Sequence, residues 1–290
     1  MIAIDWGTTN FRGFRIRAGH IIDKVSSGPG ISMIPPAGFP AALRTAIGAW
    51  LEDGERHVLM AGMVGSRQGW VEAPYLPCPA DAMDLAMAAI RVPFEGADVR
   101  LIPGLTASDT GGTPEVMRGE EAQLAGILHH LRPQATVCLP GSHSKWVRII
   151  AGRIDGFATH MTGEAFAAMR HHTILGRLMT EAPHDDHAFR RGVDRSADAG
   201  GLLHHLFGVR TLGLFDQLSG DNAASFLSGL LIGHEIRAAS PRGPVHLVGS
   251  HSLTSLYAAA IDQTGGDAII LNEDAAAAGL WRLSEHIEWT

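Results

Sequence analysis

Only two cysteines, Cys78 and Cys138, occur in 290 residues. That scarcity excludes a disulfide framework and a thiolate zinc knuckle, and it suits a reducing compartment, so a cytoplasmic location is expected. Charge is also thin: charged residues make up 18% of the chain and the formal net charge is −7. The basic surface that neutralises nucleic-acid phosphates or sits on anionic lipid is therefore missing. No apolar run is long enough to cross a bilayer. The opening Met-Ile-Ala-Ile-Asp has no basic region followed by an apolar stretch, so neither a membrane span nor a secretory leader is expected. A Walker loop ending in Gly-Lys-Ser or Gly-Lys-Thr, a dinucleotide fingerprint, the protein-kinase motif set and a Gly-X-Ser-X-Gly elbow are absent too. What is left is a chain that would act on a small molecule and hold any anionic ligand by local charge.

With 46% hydrophobic residues, the chain is long enough to bury two cores. Residues 2–5, 11–17 and 20–26 read as an antiparallel meander, 39–52 as an amphipathic helix and 57–62 as a buried strand. The Gly-, Pro- and aromatic-rich stretch 62–79 lacks a period and reads as a long functional loop. A helix over 80–90, a strand over 99–102, a Gly-rich connection and a helix over 120–131 follow. From residue 135 the opening pattern returns, with strands at 136–139, 146–151 and 154–159 around a polar turn at 140–145. Helices are expected over 163–178, 199–207 and 221–239, a strand at 245–248, another helix after Gly249-Ser250, a strand at 268–271 and a small-residue helix over 273–283. The charged, poorly periodic stretch 181–199 reads as a surface excursion. His129-His130, His171-His172 and His204-His205 read as surface residues of helices, and His184-Asp185-Asp186-His187 lacks the supporting ligands of a metal site.

The strongest local signal is Asp5-Trp6-Gly7-Thr8-Thr9-Asn10, set between two strands. An acid at a strand end can hold a metal-bound water, Gly7 admits a phosphate close to the backbone, and Thr8, Thr9 and Asn10 can donate to its oxygens. A merely polar hairpin is the plain alternative. In the second turn, Gly141-Ser142-His143-Ser144-Lys145, Lys145 offers a positive charge to a phosphate or is simply a lysine in a turn. Glu120 and Glu121 open a helix whose dipole alone favours acids there. In the loop 62–77, Arg67 is the single cation; it suits a carboxylate, with Ser66, Gln68, Trp70 and Tyr75 shaping a sugar pocket or packing the loop onto its domain. Gly65 and Gly69 would let the backbone hold that guanidinium inward.

The Asp5 hairpin resembles the phosphate-binding opening of the actin-like ATPase superfamily, which includes sugar kinases. Across the whole chain, the loop 62–77, Arg118-Gly119-Glu120-Glu121, the segment 140–146, Thr162-Gly163-Glu164 and the segment 227–233 are similar to those of 2-dehydro-3-deoxygalactonokinases. The resemblance implies an α/β fold of two ribonuclease H-like domains, 1–133 and 134–272, with an interdomain cleft and a closing helix over 273–290. It implies ATP and magnesium as cofactors, Asp5 at the metal, the two hairpins at the phosphates and Gly249-Ser250 at the adenosine. The reaction it implies is phosphorylation of the terminal hydroxyl of a 2-keto-3-deoxy sugar acid in galactonate breakdown. Glu120, Glu121 and Asp109 are the candidates for the base, unranked by sequence. The expected partner is this sugar acid, with no nucleic acid and no membrane; a homodimer is left open. An exopolyphosphatase-like phosphohydrolase and a non-catalytic nucleotide-binding regulator are the alternatives, the first disfavoured because a polyphosphate channel would need more cations than Arg67.

Overall fold

The computed structural model describes residues 1–26, 28–271 and 274–290. It is a mixed α/β structure that falls into two compact units, Met1–Gln134 with Arg148–Phe157 and Asn272–Thr290, and Ala135–Val147 with Ala158–Leu271.

The first unit is built on β1 (Ile2–Trp6), β2 (Phe11–Arg17), β3 (His20–Val25), α1 (Phe39–Glu52), β4 (His57–Ala61), β5 (Tyr75–Pro77), α2 (Ala82–Met87), β6 (Ile90–Val92), β7 (Asp98–Leu101), β8 (Gly104–Ser108), β9 (Pro114–Met117) and α3 (Glu120–Ile127). Its six-stranded sheet runs β3-β2-β1-β4-β7-β6. β1 lies inside it, antiparallel to β2 and parallel to β4, which is why Ile2, Ala3, Ile4 and Trp6 are all buried while Asp5 alone is polar. Helix α1 follows from a Pro in its first turn and from Phe39, Leu43, Ile47, Trp50 and Leu51, spaced to bury one face.

The second unit takes most of β10 (Gln134–Leu139), parts of β11 (Ser144–Ile150) and β12 (Arg153–His160), then α4 (Thr162–His172), α5 (Asp186–Arg195), α6 (Gly201–Leu214), α7 (Gly220–Ala239), β13 (Val245–Leu247), α8 (His251–Gln263) and β14 (Ala268–Ile270). Its sheet runs β12-β11-β10-β13-β14. Helix α9 (Ala275–Ser284) belongs to the first unit; the residue at which the closing helix was expected to start, Glu273, lies outside the described residues.

Several expectations need correction. The Gly-rich connection after β7 is a hairpin, β8 and β9, joined by β5 in a three-stranded sheet. The stretch 181–199 is not an excursion: Asp185 caps α5 by accepting from the Ala188 amide, and Ala188, Phe189, Gly192 and Val193 are buried. Four apolar or small residues among ten hide this face from a periodicity reading. Helix α4 stops early because Thr173 is extended and its hydroxyl bonds the Met169 carbonyl and the Leu175 amide. His205 is fully buried, with its ring nitrogens at Ala199 O and at His234.

Two helix pairs pack backbone to backbone through glycine. A Cβ on Gly279 of α9 would sit 1.8 Å from the Ala122 carbonyl oxygen of α3, and one on Gly126 would sit 2.1 Å from Ala275 O. In the second unit a Cβ on Gly229 of α7 would lie 1.9 Å from Phe189 O of α5, and one on Gly192 would lie 2.1 Å from Phe226 O. Gly48, inside α1, has nothing within 4 Å of the same point. Gly279→Ala should therefore destabilise the fold by about 2 kcal/mol or more through overpacking, whereas Gly48→Ala should stabilise it by roughly 0.5–1 kcal/mol through helix propensity. Paired thermal melts of the two variants check the contrast.

Candidate active site

At the first turn, the Gly7 amide donates to Asn10 O at 2.9 Å and closes a hairpin whose Thr8, Thr9 and Asn10 are exposed. Ser32 ties the turn down from outside, donating from its amide and its hydroxyl to Thr8 O at 3.1 and 2.9 Å. Asp5 ends up opposite Arg12 in the β1–β2 register, and the Arg12 guanidinium donates to Asp5 Oδ2. The acid is thus already partnered by a cation, a feature that the motif alone does not show.

The ends of β1 and β4 and the start of α3 converge. A Cβ on Gly62 would lie 2.7 Å from Trp6 O, and one on Gly119 would lie 3.4 Å from Gly62 Cα. Gly119 itself has φ +112, a conformation that favours glycine. The two glutamates fold back over this turn: Arg118 N donates to Glu120 Oε2 at 3.0 Å and Gly119 N donates to Glu121 Oε2 at 2.7 Å. Glu121 is fully buried, and among the described residues its Oε1 has no partner. Burial, with the neighbouring Glu120 charge as a second cause, pushes its carboxyl up to about 8. Asp109 is a different kind of acid. It is exposed in the β8–β9 turn, accepts from the Gly111 and Thr113 amides at 2.8 Å each, and is held below its ordinary value by the Thr113 amide first. Two of the three acids thus differ in surroundings: Glu121 is buried with raised proton affinity, and Asp109 shapes a turn.

In the loop that follows β4, Trp70 stacks on Phe39 with ring centroids 6.3 Å apart and packs against the first core. Gln68 is exposed, and Ser66 is buried with its hydroxyl unpartnered. Arg67 does not turn inward as Gly65 and Gly69 suggested. Its side chain is 83% exposed, with Nε donating to Glu72 Oε1 at 3.0 Å. The guanidinium that does turn inward is Arg118: it lies over the Tyr75 ring at 4.4 Å and donates to Ala73 O at 2.8 Å, stapling the loop to β9.

In the second unit, Ser142 and His143 of the polar turn are exposed, and His143 pairs closely with Glu164 of α4. Gly163 makes this approach possible, since a Cβ there would lie 2.5 Å from Gly141 O. Ser144 and Lys145 are buried instead of open to a ligand. Lys145 Nζ donates to Thr159 Oγ1 at 3.1 Å, and Ser144 Oγ lies 2.8 Å from the Tyr257 hydroxyl. That hydroxyl donates to Glu235 Oε2 at 2.7 Å, so its oxygen accepts from Ser144; Trp146 Nε1 donates to Glu235 Oε1 at 2.7 Å. Tyr257 also lines a cavity of about 270 Å³, along with Gly141, Gly163, Phe166, Arg170 and Ser228. Gly249, with φ +150, leads into α8 beside Pro140 O, and Ser250 stands at the α8 N-cap.

A model of the 2-keto-3-deoxy-galactonokinase family matches residues 5–283. The chain belongs to this family. It is 37% identical over 299 residues to a Rhizobium meliloti protein provisionally named a 2-dehydro-3-deoxygalactonokinase, with 97% of each chain covered. It is 34% identical over 279 residues to the 2-dehydro-3-deoxygalactonokinase of Escherichia coli, covering 95% of this chain and 94% of that one. A crystal structure of a Sinorhizobium meliloti protein with the same provisional name superposes with a TM-score of 0.90 at 36% identity, covering 98% of both chains. The ADPNP-bound activator of the 2-hydroxyisocaproyl-CoA dehydratase from Clostridium difficile superposes at a TM-score of 0.52 and 13% identity over 99% of this chain and 95% of that one, a likeness of fold alone.

Of the family segments expected from sequence, Arg118–Glu121 falls at the buried acid, and Gly141, Thr162, Gly163 and Ser228 line the cavity. Sequence reasoning missed Tyr257, Glu235, Phe166 and Arg170. The helix expected over 221–239 and the family-like segment 227–233 mark α7 but not the buried glutamate two residues further on.

Glu121 gives a stability prediction. A carboxyl whose folded value, about 8, lies above its unfolded value near 4.5 binds more protons folded than unfolded between those limits, so stability falls as pH rises from about 4.5 to 8. Glu121→Gln keeps the shape and removes the titration. The variant should melt at a higher temperature than the parent at pH 8, and the advantage should shrink toward pH 5 in parallel melts.

Proposed function

We propose that the chain is an ATP-dependent kinase that phosphorylates the terminal (C6) hydroxyl of 2-dehydro-3-deoxy-D-galactonate in galactonate catabolism, on two ribonuclease H-like, actin-like domains spanning about 1–133 and 134–272. Family membership and the names of the relatives support the reaction. The single observation that carries the residue assignment is Glu121, a buried acid with raised proton affinity and an unpartnered oxygen beside the phosphate-type hairpin.

In the reaction the C6 oxygen attacks the γ-phosphorus, the new oxygen–phosphorus bond forms as the bond to the ADP oxygen breaks, and the hydroxyl proton goes to Glu121 Oε1. An acceptor without a partner costs about 1–3 kcal/mol when buried, which a substrate hydroxyl would recover. The glycine turn and hydroxyls of Gly7, Thr8, Thr9 and Asn10 would meet phosphate oxygens, as would exposed Ser142 and His143 near Gly141. Ser144 and Lys145 support that second turn from within. The cavity lined by Phe166, Arg170 and Tyr257, with Gly249 and Ser250 beside it, has the apolar walls and few polar groups that suit a nucleoside.

Magnesium fits the donors at the first turn: Asp5 supplies one carboxylate oxygen beyond the one held by Arg12, and magnesium commonly takes one or two carboxylates with waters and substrate phosphates. When bound, the ion neutralises phosphate charge; Asp5 would hold it through that oxygen. Arg67, exposed and held by only one hydrogen bond to Glu72, is the cation for the sugar carboxylate, with Ser66, Gln68 and Tyr75 in the same segment.

ADP formation measured with a panel of sugar acids tests the reading, with 2-dehydro-3-deoxygalactonate expected to be the best acceptor; no turnover with any 2-keto-3-deoxy acid would sink it. Glu121→Gln should lower kcat by about 10²- to 10⁴-fold, the usual scale of a lost general base, and turnover of the parent should rise with pH toward about 8 as the carboxylate forms. Arg67→Ala should cut the specificity constant for the sugar acid by about thirtyfold while leaving ATP use unchanged, and Arg67→Lys should recover part of it, because an ammonium lacks the planar fork.

A further inference from the structure

Helix α6 buries one face and presents another apolar face to solvent. His205, Leu206 and Val209 are buried, with Leu206 and Val209 in a cluster that includes Phe226, Leu227 and Leu230 of α7. On the other side stand Leu203, 85% exposed, Phe207, 56%, and Leu214, 55%, with Phe215, 73%, just past the helix end. Ile174 and Leu178 extend this surface: Arg210 donates to Ile174 O at 3.3 Å, and a Cβ on Gly213 would lie 3.0 Å from Leu178 Cδ1. Single exposed leucines are ordinary on a protein surface, but these six are neighbours. At about 200 Å² for a fully exposed side chain of this size, they leave on the order of 600–700 Å² open. The largest apolar patch of a typical monomer is about 300–600 Å², and one side of a standard interface is about 800 Å², so a modest polar rim completes such an interface.

The order of residues along the face indicates the occupant. Positions 203, 207, 210 and 214 are spaced four, three and four, the seam of a two-helix coiled coil, and they span about 16 Å of helix at 1.5 Å per residue. The seam reads Leu, Phe, Arg, Leu. Laid antiparallel on a second copy of itself about a two-fold axis between residues 208 and 209, it sets Leu203 against Leu214 of the other copy and Phe207 against Arg210. The first pair is apolar, and the second places a guanidinium over an aromatic ring, an attractive contact. Both pairs recur by symmetry, as an isologous contact requires. No acidic residue lies in the seam to repel or redirect it.

We propose that α6 is a homodimer interface, formed by antiparallel pairing of this seam with that of a second copy. The inference stands apart from the kinase reading, because none of these residues belongs to the proposed catalytic or binding machinery.

The full chain should sediment as a dimer at the upper end of a concentration series, at twice the chain mass, and dissociate on dilution. Phe207→Arg sets two cations face to face across the seam and should raise the dissociation constant at least tenfold. Adding Arg210→Glu to that variant restores opposite charges at the same contact and should return the constant to within about threefold of the parent. All the variants should keep the parent melting temperature and kinase activity, since the changes are on the surface. A parent that stays monomeric throughout, or a Phe207→Arg chain that dimerises as tightly as the parent, overturns the proposal. Loss in the single variant without recovery in the double one overturns the antiparallel pairing of Phe207 with Arg210.

Discussion

The site in the first unit depends on two helices touching without side chains between them. Where α3 crosses α9, Gly126 and Gly279 bring carbonyl oxygens to within 2.1 and 1.8 Å of the points that a Cβ would occupy. A helix pair this close leaves no room for water. The first turn of α3 is thereby fixed against the ends of β1 and β4, and Glu121, one residue before Ala122 in that contact, is buried. Its proton affinity is thus a consequence of the crossing: desolvation is the first cause of the shift and the Glu120 charge the second. An exposed helix N-terminus would do the opposite, since the dipole there favours the charged form.

The second unit uses the same device for a different end. Helices α5 and α7 close on each other through Gly192 and Gly229, and α7 carries Glu235 into the core, 3% exposed. Among the described residues no cation pairs with this carboxylate; it is held by the Trp146 indole and the Tyr257 hydroxyl. Two neutral donors satisfy it, and Tyr257 passes the constraint on to Ser144 at the base of the polar turn. A buried polar chain of this kind rigidifies only when every member is satisfied, and here each has its partner. The wall of the cavity and the root of the turn are consequently one piece of structure.

Much of the fold was legible because strongly periodic elements announce themselves. Helix α1 was read with its observed bounds, and the opening meander and its second appearance at 134–160 were read to within two residues at every end, since buried strands between polar turns leave little ambiguity. Short elements with mixed composition were not legible. β8 and β9 hide in a Gly-rich stretch, and α5 was lost under its charges, because its helical character rests on four residues that pack on α7. At the site, Glu120, Glu121 and Asp109 stood unranked, because the burial of Glu121 and the turn hydrogen bonds of Asp109 come from the folded surroundings and not from local sequence. The Arg67 orientation failed for the complementary reason. Flanking glycines permit an inward side chain without requiring it, and Arg118 already fills the inside.

The arrangement also answers how an acidic chain can accept anions. The formal charge is −7, and both ATP and a sugar acid carry negative charge, so unpartnered carboxylates at the site would repel them. Of the acids placed there, Asp5 is neutralised by Arg12 and Glu121 holds its proton up to about 8. Glu72 is paired with Arg67. Pairing of this kind lowers the repulsion that an acidic chain would present to a small anion. In the site proposed, hydrogen bonds and a guanidinium would act at short range, which favours recognition of one small acid over capture of polyanions in general.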